Sequence, residues 1–388
     1  MARAAMGFAF SFGWGEFGRM DRSLVVLLEE ALGMLGEEDQ ALRAILLSRL
    51  SAELYWSPDR ERRETMMTEA LEIAERSGDR AALAHALVSA HVVFWTPETA
   101  ERRFEIAERI LRLAEEARDP ELGLRGRVFR IADALELGDA RRADRDGRAF
   151  EDQAERLRQP FFLWQAKVLR AMRATLEGRF AEAESLAAEA ASLGERSQQQ
   201  NARQLFAVQL FFLRLAEGRI GEIEEAVRSF AESHGASMPA WPAALARVEM
   251  ELGRPDEARE ALEPVARDDF ARVPPDANRL VTLALVAETA SALRDRPLAE
   301  AAYRALSPFA GRNVVLGPGA ACYGPVDRFL GRLAATLDRP GDAVRHLECA
   351  CLALTRLGAL ALTPAAELDL AAALAARAEP GDRERASL

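Results

Sequence analysis

The side chains that most often carry chemistry are scarce in this chain, and their spacing restricts what it can do. Among 388 residues there are four histidines, three cysteines and a single lysine, Lys167. A phosphate loop needs Gly-Lys-Ser/Thr, with the lysine neutralising phosphate oxygens, and Schiff-base chemistry also needs a lysine. Lys167 stands in Gln165-Ala166-Lys167-Val168, in the middle of a helical stretch, and reads as a helix-surface residue. His346 and Cys349 are three residues apart and share a helical face, which would be half a zinc site; no second pair accompanies them. Adjacent carboxylates such as Glu29-Glu30, Glu115-Glu116 and Asp268-Asp269 lie on arginine-rich amphipathic segments, where solvated faces are the rule. No nucleophile with a positioned base is legible. The residues predict no catalytic group, no metal and no cofactor.

Binding chemistry is better represented. Trp164 with Arg170 and Arg173 forms one group, Gln204 and Gln209 a second, Trp241 with Arg247 a third, and Asn278 with Arg279 a fourth. An arginine beside an aromatic ring can hold an anion or stack on a planar group. Helix packing for the tryptophans and surface charge for the arginines is the ordinary reading of each residue taken singly. The segment Gly311–Gly324 carries Gly311, Gly317, Pro318, Gly319 and Gly324 within fourteen residues. It reads as a long loop with no preceding strand, so it is no dinucleotide fingerprint. Arg312, Asn313, Cys322, Tyr323 and Arg328 in and after it are candidates to contact a ligand or a neighbouring chain, against a packed connector as the alternative.

The elements that must position these groups repeat. A turn followed by an amphipathic helix recurs with first turn positions at Gly178, Gly218, Gly253, Arg294 and Asp338, spaced 40, 35, 41 and 44 residues apart. Five residues later a small or apolar side chain keeps register: Ala183, Ile223, Ala258, Ala299 and Ala343. Gly138 with Ala143 extends the series, and the near-duplicates Tyr55-Trp56-Ser57-Pro58 and Phe94-Trp95-Thr96-Pro97 lie 39 apart. Glycine permits the left-handed backbone that ends a helix, and Pro255, Pro297 and Pro340 suit the first turn of the next. One helix pair cannot bury its own apolar stripe, whereas stacked pairs can. The pattern predicts an all-α, right-handed solenoid of about eight helix pairs. First helices are expected near 39–56, 79–95, 119–137, 160–177, 198–217, 237–252, 275–293 and 318–337, lining a concave face. Residues 1–38 are expected to cap the array, 39–358 to form the repeats, and 359–388 to supply a closing helix and tail.

The Gly-x-Phe-x-x-Ala of Gly178–Ala183 resembles the signature of tetratricopeptide repeats. The usual Trp-x-x-Leu-Gly-x-x-Tyr of that family's first helices is missing, and the period is longer than its usual 34. A narrower resemblance rests on Leu50–Ser57, Pro239–Leu245 and Ala310–Gly324. These are similar to the helical region behind the nucleotide-binding module of large bacterial signalling ATPases, of the maltose-activator and LuxR-like type and the cyclase-linked type. The resemblance implies a sensor of a small inducer or partner that controls an ATPase, although this chain contains no ATPase.

Composition bounds the rest. Hydrophobic residues make up 49% and charged residues 29%, as in a well-cored folded chain. A net charge of −11 disfavours phosphate backbones, so no nucleic-acid partner is expected. Three cysteines form no disulfide framework, which points to a cytoplasmic location, and no apolar run is long enough for a membrane span. Three functions stay open: a regulatory scaffold binding a protein partner or small-molecule effector, an enzyme with an enclosed pocket, and an adaptor. The adaptor would be a homodimer through the aromatic N-terminus, Phe8, Phe10, Phe12, Trp14 and Phe17.

Overall fold

A computed structural model describes residues 15–36 and 38–386. It is all-α: 77% helical, with nineteen α-helices and one two-stranded sheet among the described residues. Of the aromatic N-terminal group, Phe8, Phe10, Phe12 and Trp14 lie outside the described residues.

The helices start where side chains can satisfy their first N–H groups. Asp21, Asp59, Asp79, Asp119, Asp139 and Asp295 each cap the helix that follows by accepting backbone N–H bonds. They end at the repeating turn: Gly138, Gly178, Gly218 and Gly253 have φ of 81°, 77°, 70° and 74°, and the non-glycine equivalents Arg294 and Asp338 take 53° and 57°. The left-handed turn is therefore kept even where a side chain makes it costly.

Helices Gln40–Glu53, Arg80–Val93, Pro120–Glu136, Pro160–Leu176, Ala202–Ala216, Ala240–Glu251, Arg279–Leu293 and Val326–Thr336 are the more buried set, and all but Ala202–Ala216 are followed by a more exposed helix packed on them. Members of this set also stack on each other, as Gln40–Glu53 does on Arg80–Val93 and Ala240–Glu251 on Arg279–Leu293. Seven of the eight start within a few residues of the expected position.

The eighth expectation fails, for a physical reason. Gly311–Gly324 is not a structureless loop. Strand β1 (Asn313–Leu316) pairs antiparallel with strand β2 (Ala321–Pro325), with a bulge between Val314 and Val315, and both strands are buried throughout. The helix therefore begins at Val326, not near 318. Val-Val-Leu suits a pleated, fully buried surface, and Gly317 and Gly319, with φ of 51° and 82°, turn the chain between the strands.

The hairpin joins two hydrophobic cores. One core is built from residues 44–176 together with Leu354, Leu357, Ala359 and Ala366, and takes Val315 and Cys322. The other, from residues 211–337, takes Val314, Leu316, Ala321 and Tyr323. Successive strand residues point to opposite faces, so each strand contributes to both cores alternately. The chain ends fold back as well. Ala361 N–H donates to Leu176 O at 3.0 Å, and Asn201 Oδ1 accepts Phe17 N–H at 2.9 Å.

Candidate functional site

A cavity of about 1110 Å³ opens between the C-terminal end of helix Gln40–Glu53 and the N-terminal ends of Pro120–Glu136, Pro160–Leu176 and Ala202–Ala216. Its walls come from the lead-in around Gly15–Leu24, helix Gln40–Glu53, the starts of Pro120–Glu136 and Pro160–Leu176, the turn at Gln198–Asn201, and Pro318 at the hairpin tip. The lead-in is held across it by amides. Asn201 accepts from Phe17 N and donates to Gly15 O, each at 2.9 Å, and Gln204 Nε2 donates to Phe17 O at 3.2 Å. Phe17 packs against two apolar clusters, one of which contains Trp164.

The cavity lining mixes rings, amides and charges. Phe161 meets Trp164 edge-on at 5.6 Å, and Trp56 lies beside the Tyr55 ring. Gln165, 1% exposed, donates through Nε2 to Pro318 O at 2.9 Å, and its Oε1 has no hydrogen-bond partner. Arg49 and Glu53 form a buried i,i+4 ion pair. Burial raises the Glu53 pKa, with Arg49 opposing, and burial lowers that of Arg49.

The expected binding groups are mostly spent inside the chain. Trp164 does line the cavity, while Arg170 is exposed elsewhere on the same helix. Arg173 holds Leu357 O at 2.8 Å, Glu177 at 2.8 Å and Asp144 at 3.2 Å. Gln209 donates to Val168 O and Ala320 O, at 2.8 and 3.2 Å. Trp241 stacks on Phe230 at 4.5 Å. Arg279 ties to Val273 O at 2.8 Å, and Asn278 donates its backbone N–H to Asp276 at 2.8 Å.

The hairpin candidates are likewise structural. Arg312 reaches Glu101 at 2.8 Å and the Pro97 carbonyl, and Asn313 Nδ2 donates to Leu135 O at 2.7 Å. Cys322 is buried, which pushes its thiol up to about 11. Tyr323 and Arg328 both bond Glu288, which also meets Arg247 at 2.9 Å and Arg332 at 3.3 Å. Burial alone would raise the Glu288 pKa, but Arg328, Arg247 and Arg332 hold it at about 2.

Two other groups of buried polar residues do not line this cavity. Arg103 pairs with Asp133 and Glu136, and Asp133 also meets His91 at 2.7 Å; the His91 ring stacks on Phe129 and meets Trp95 edge-on. His346 bonds Asp327 at 2.7 Å and the Tyr303 hydroxyl at 3.1 Å, while Cys349 on the same helix is exposed. Among the described residues no three His, Cys, Asp or Glu side chains cluster as metal ligands. No described helix is long and apolar enough to cross a membrane.

Sequence reading missed Arg49, Glu53, Arg125, Gln165 and Asn201. A signal existed for Gln165: it is a polar residue inside the otherwise apolar stripe of a buried helix. The others belong to the cavity only through contacts between distant segments. No family model matches this chain, and no characterised protein matches it in sequence.

Proposed function

We propose that the chain is a non-catalytic binding scaffold with a regulatory role, and that it takes a small ligand in the cavity under the lead-in. It is built as a right-handed solenoid of about eight tetratricopeptide-like helix pairs, and its resemblance to the sensor region of bacterial signalling ATPases supports the regulatory reading. The single observation that carries the proposal is the cavity. Its volume of about 1110 Å³ is enough for a drug-sized or larger molecule, since small-molecule pockets run to roughly 300–1,000 Å³. Its walls join the lead-in, four helices' ends and the hairpin tip. A ligand there touches segments more than a hundred residues apart, so binding it tightens contacts that the fold otherwise closes alone.

The test is a thermal-shift screen of the full chain against nucleotides, sugars, amino acids and short peptides. A ligand that binds only the folded chain raises its melting temperature, by about 2.7 kcal/mol of stability at a hundredfold excess over Kd. A rise with one chemical class supports the reading. No rise with any class sinks it and leaves a protein partner as the remaining binding role.

A further inference from the structure

The lead-in is held through its backbone by side-chain amides, and the inference drawn from this about the ligand rests on the reading just given. Asn201 stands immediately before helix Ala202–Ala216, and its side chain caps no N–H of that helix. Both of its polar atoms go to the lead-in instead: Oδ1 accepts Phe17 N–H and Nδ2 donates to Gly15 O, each at 2.9 Å. Early in the same helix, Gln204 Nε2 donates to Phe17 O at 3.2 Å. A side-chain amide offers the donor and the acceptor of a peptide unit, so it reads backbone whatever side chains that backbone carries.

Conformation and packing add selectivity. Arg19 N–H donates to Glu16 O at 3.1 Å, which closes a turn over Glu16–Arg19. Gly18 takes φ of +78° in that turn, and a β-carbon there would sit 2.6 Å from Met238 Sδ. Glycine is favoured twice over, by the left-handed backbone and by the close approach. Phe17, the residue before it, packs against the cluster that holds Trp164, Leu205 and Ala320. What the clamp holds is an aromatic-glycine turn.

The lead-in walls the cavity without filling it. Gly15, Glu16, Phe17, Arg19 and Met20 belong to the lining, and about 1110 Å³ stay open beside them. Gln165, also in the lining and 1% exposed, has an Oε1 with no hydrogen-bond partner. That acceptor suits an N–H of a further peptide unit. The lining mixes arginines with carboxylates, so net charge singles out no ligand. We infer that the clamp of Asn201 and Gln204, together with the cavity, binds a short peptide carrying an aromatic-glycine turn, and that residues 15–18 hold its place in this structure. The peptide displaces the lead-in from the clamp and makes the cavity contacts that the lead-in leaves unmade.

The experiment follows the fluorescence anisotropy of labelled Gly-Glu-Phe-Gly-Arg-Met, the sequence of residues 15–20, on the full chain and on its Phe17→Ala variant. The variant binds the peptide. The parent binds it about tenfold or more weakly, because its tethered lead-in competes at an effective concentration on the order of millimolar. Asn201→Ala in the Phe17→Ala background costs about tenfold, and an ester in place of the peptide's Glu-Phe amide about fivefold, since these remove two clamp bonds and one. Alanine for the glycine after phenylalanine in the peptide abolishes binding. If Phe17→Ala fails to fold, Gly18→Ala, which strains the turn of the lead-in, is the second displaced variant. No binding to a folded variant, equal binding by variant and parent, or equal binding of ester and amide overturns the inference. Failure of the peptide while nucleotides or sugars raise the melting temperature overturns it too, and leaves the cavity reading standing. Failure of every compound overturns both.

Discussion

The side-chain amide of Gln165 donates to the carbonyl of Pro318 at 2.9 Å, joining a helix to a hairpin tip 153 residues further along. Gln209 does the same at Ala320 and Asn313 at Leu135. Two amides thus dock the hairpin by carbonyls of its turn, and the hairpin's own Asn313 docks on a helix carbonyl, so that buried polar groups are paired. Gln209→Leu removes the bond to Ala320 O and a second one to Val168 O. It is expected to lower unfolding free energy by about 1–3 kcal/mol. Urea denaturation followed by circular dichroism measures this, and an unchanged midpoint would contradict the docking role.

Gly319 tests how closely the hairpin tip is packed. Its φ is +82°, and an added β-carbon would sit 2.5 Å from Leu169 Cδ2. Gly178 has φ of +77° and open space around it. Both alanine substitutions bear the left-handed penalty of roughly 1–2 kcal/mol, but only Gly319→Ala adds a clash, expected to cost about 1–3 kcal/mol more. Comparing the two melting curves isolates the packing term. Equal losses would mean that the tip has room to move.

Glu288 is the acid on which Tyr323, Arg328 and Arg247 converge, and it is 3% exposed. Glu288→Gln leaves buried guanidinium groups without a counter-charge. A loss of about 3–5 kcal/mol is expected, the range for breaking one side of a buried ion pair. The folded carboxyl is held at about 2, below its value of 4.5 when unfolded, so its contribution is full above pH 4.5 and disappears as pH falls through 2. Chemical denaturation of both proteins between pH 7 and pH 3 checks the loss and its direction.

Asp276 has the opposite linkage. Burial raises it to about 6 from 3.8, while its own bonds to Asn278 and the neighbouring Arg63 and Arg279 oppose. The folded chain therefore holds this proton more tightly than the unfolded chain does. The stabilisation is full below pH 3.8 and is lost as pH rises through 6. Asp276→Asn keeps an acceptor for the Asn278 N–H and removes the buried charge. At pH 7 it should gain on the order of 2 kcal/mol and flatten the pH dependence between 4 and 6. A variant no more stable than the parent at pH 7 would show that the carboxylate is well compensated.

Arg294 occupies a glycine position of the repeat. It caps helix Arg279–Leu293 at φ of 53° and is exposed. Arg294→Gly relieves the left-handed strain and is expected to raise stability by about 0.5–1 kcal/mol. Differential scanning calorimetry reads the gain, and a lower melting point would mean that chain entropy outweighs the strain.

The helical architecture was legible because its causes are local. Aspartate caps, turn glycines and small residues five places on recur along the chain, and they depend on near neighbours only. That is why the left-handed turn could be expected at Arg294 and Asp338 as well as at the glycines.

What those side chains touch was beyond local rules. Gly311–Gly324 looked like a loop because its glycines and proline outweigh two short strands, and only two flanking cores make Val314, Val315 and Cys322 a buried hairpin. Arg312, Asn313, Tyr323 and Arg328 looked available and are used up within the fold. The cavity arises where the lead-in, a helix start and the hairpin tip meet, and Arg49, Glu53 and Gln165 belong to it only through that meeting. The sequence alone determined the helices, their ends and their repeating order, since these depend on residues within a turn or two. The tertiary structure alone decided which polar groups face one another, because burial and pairing depend on segments brought together from more than a hundred residues apart.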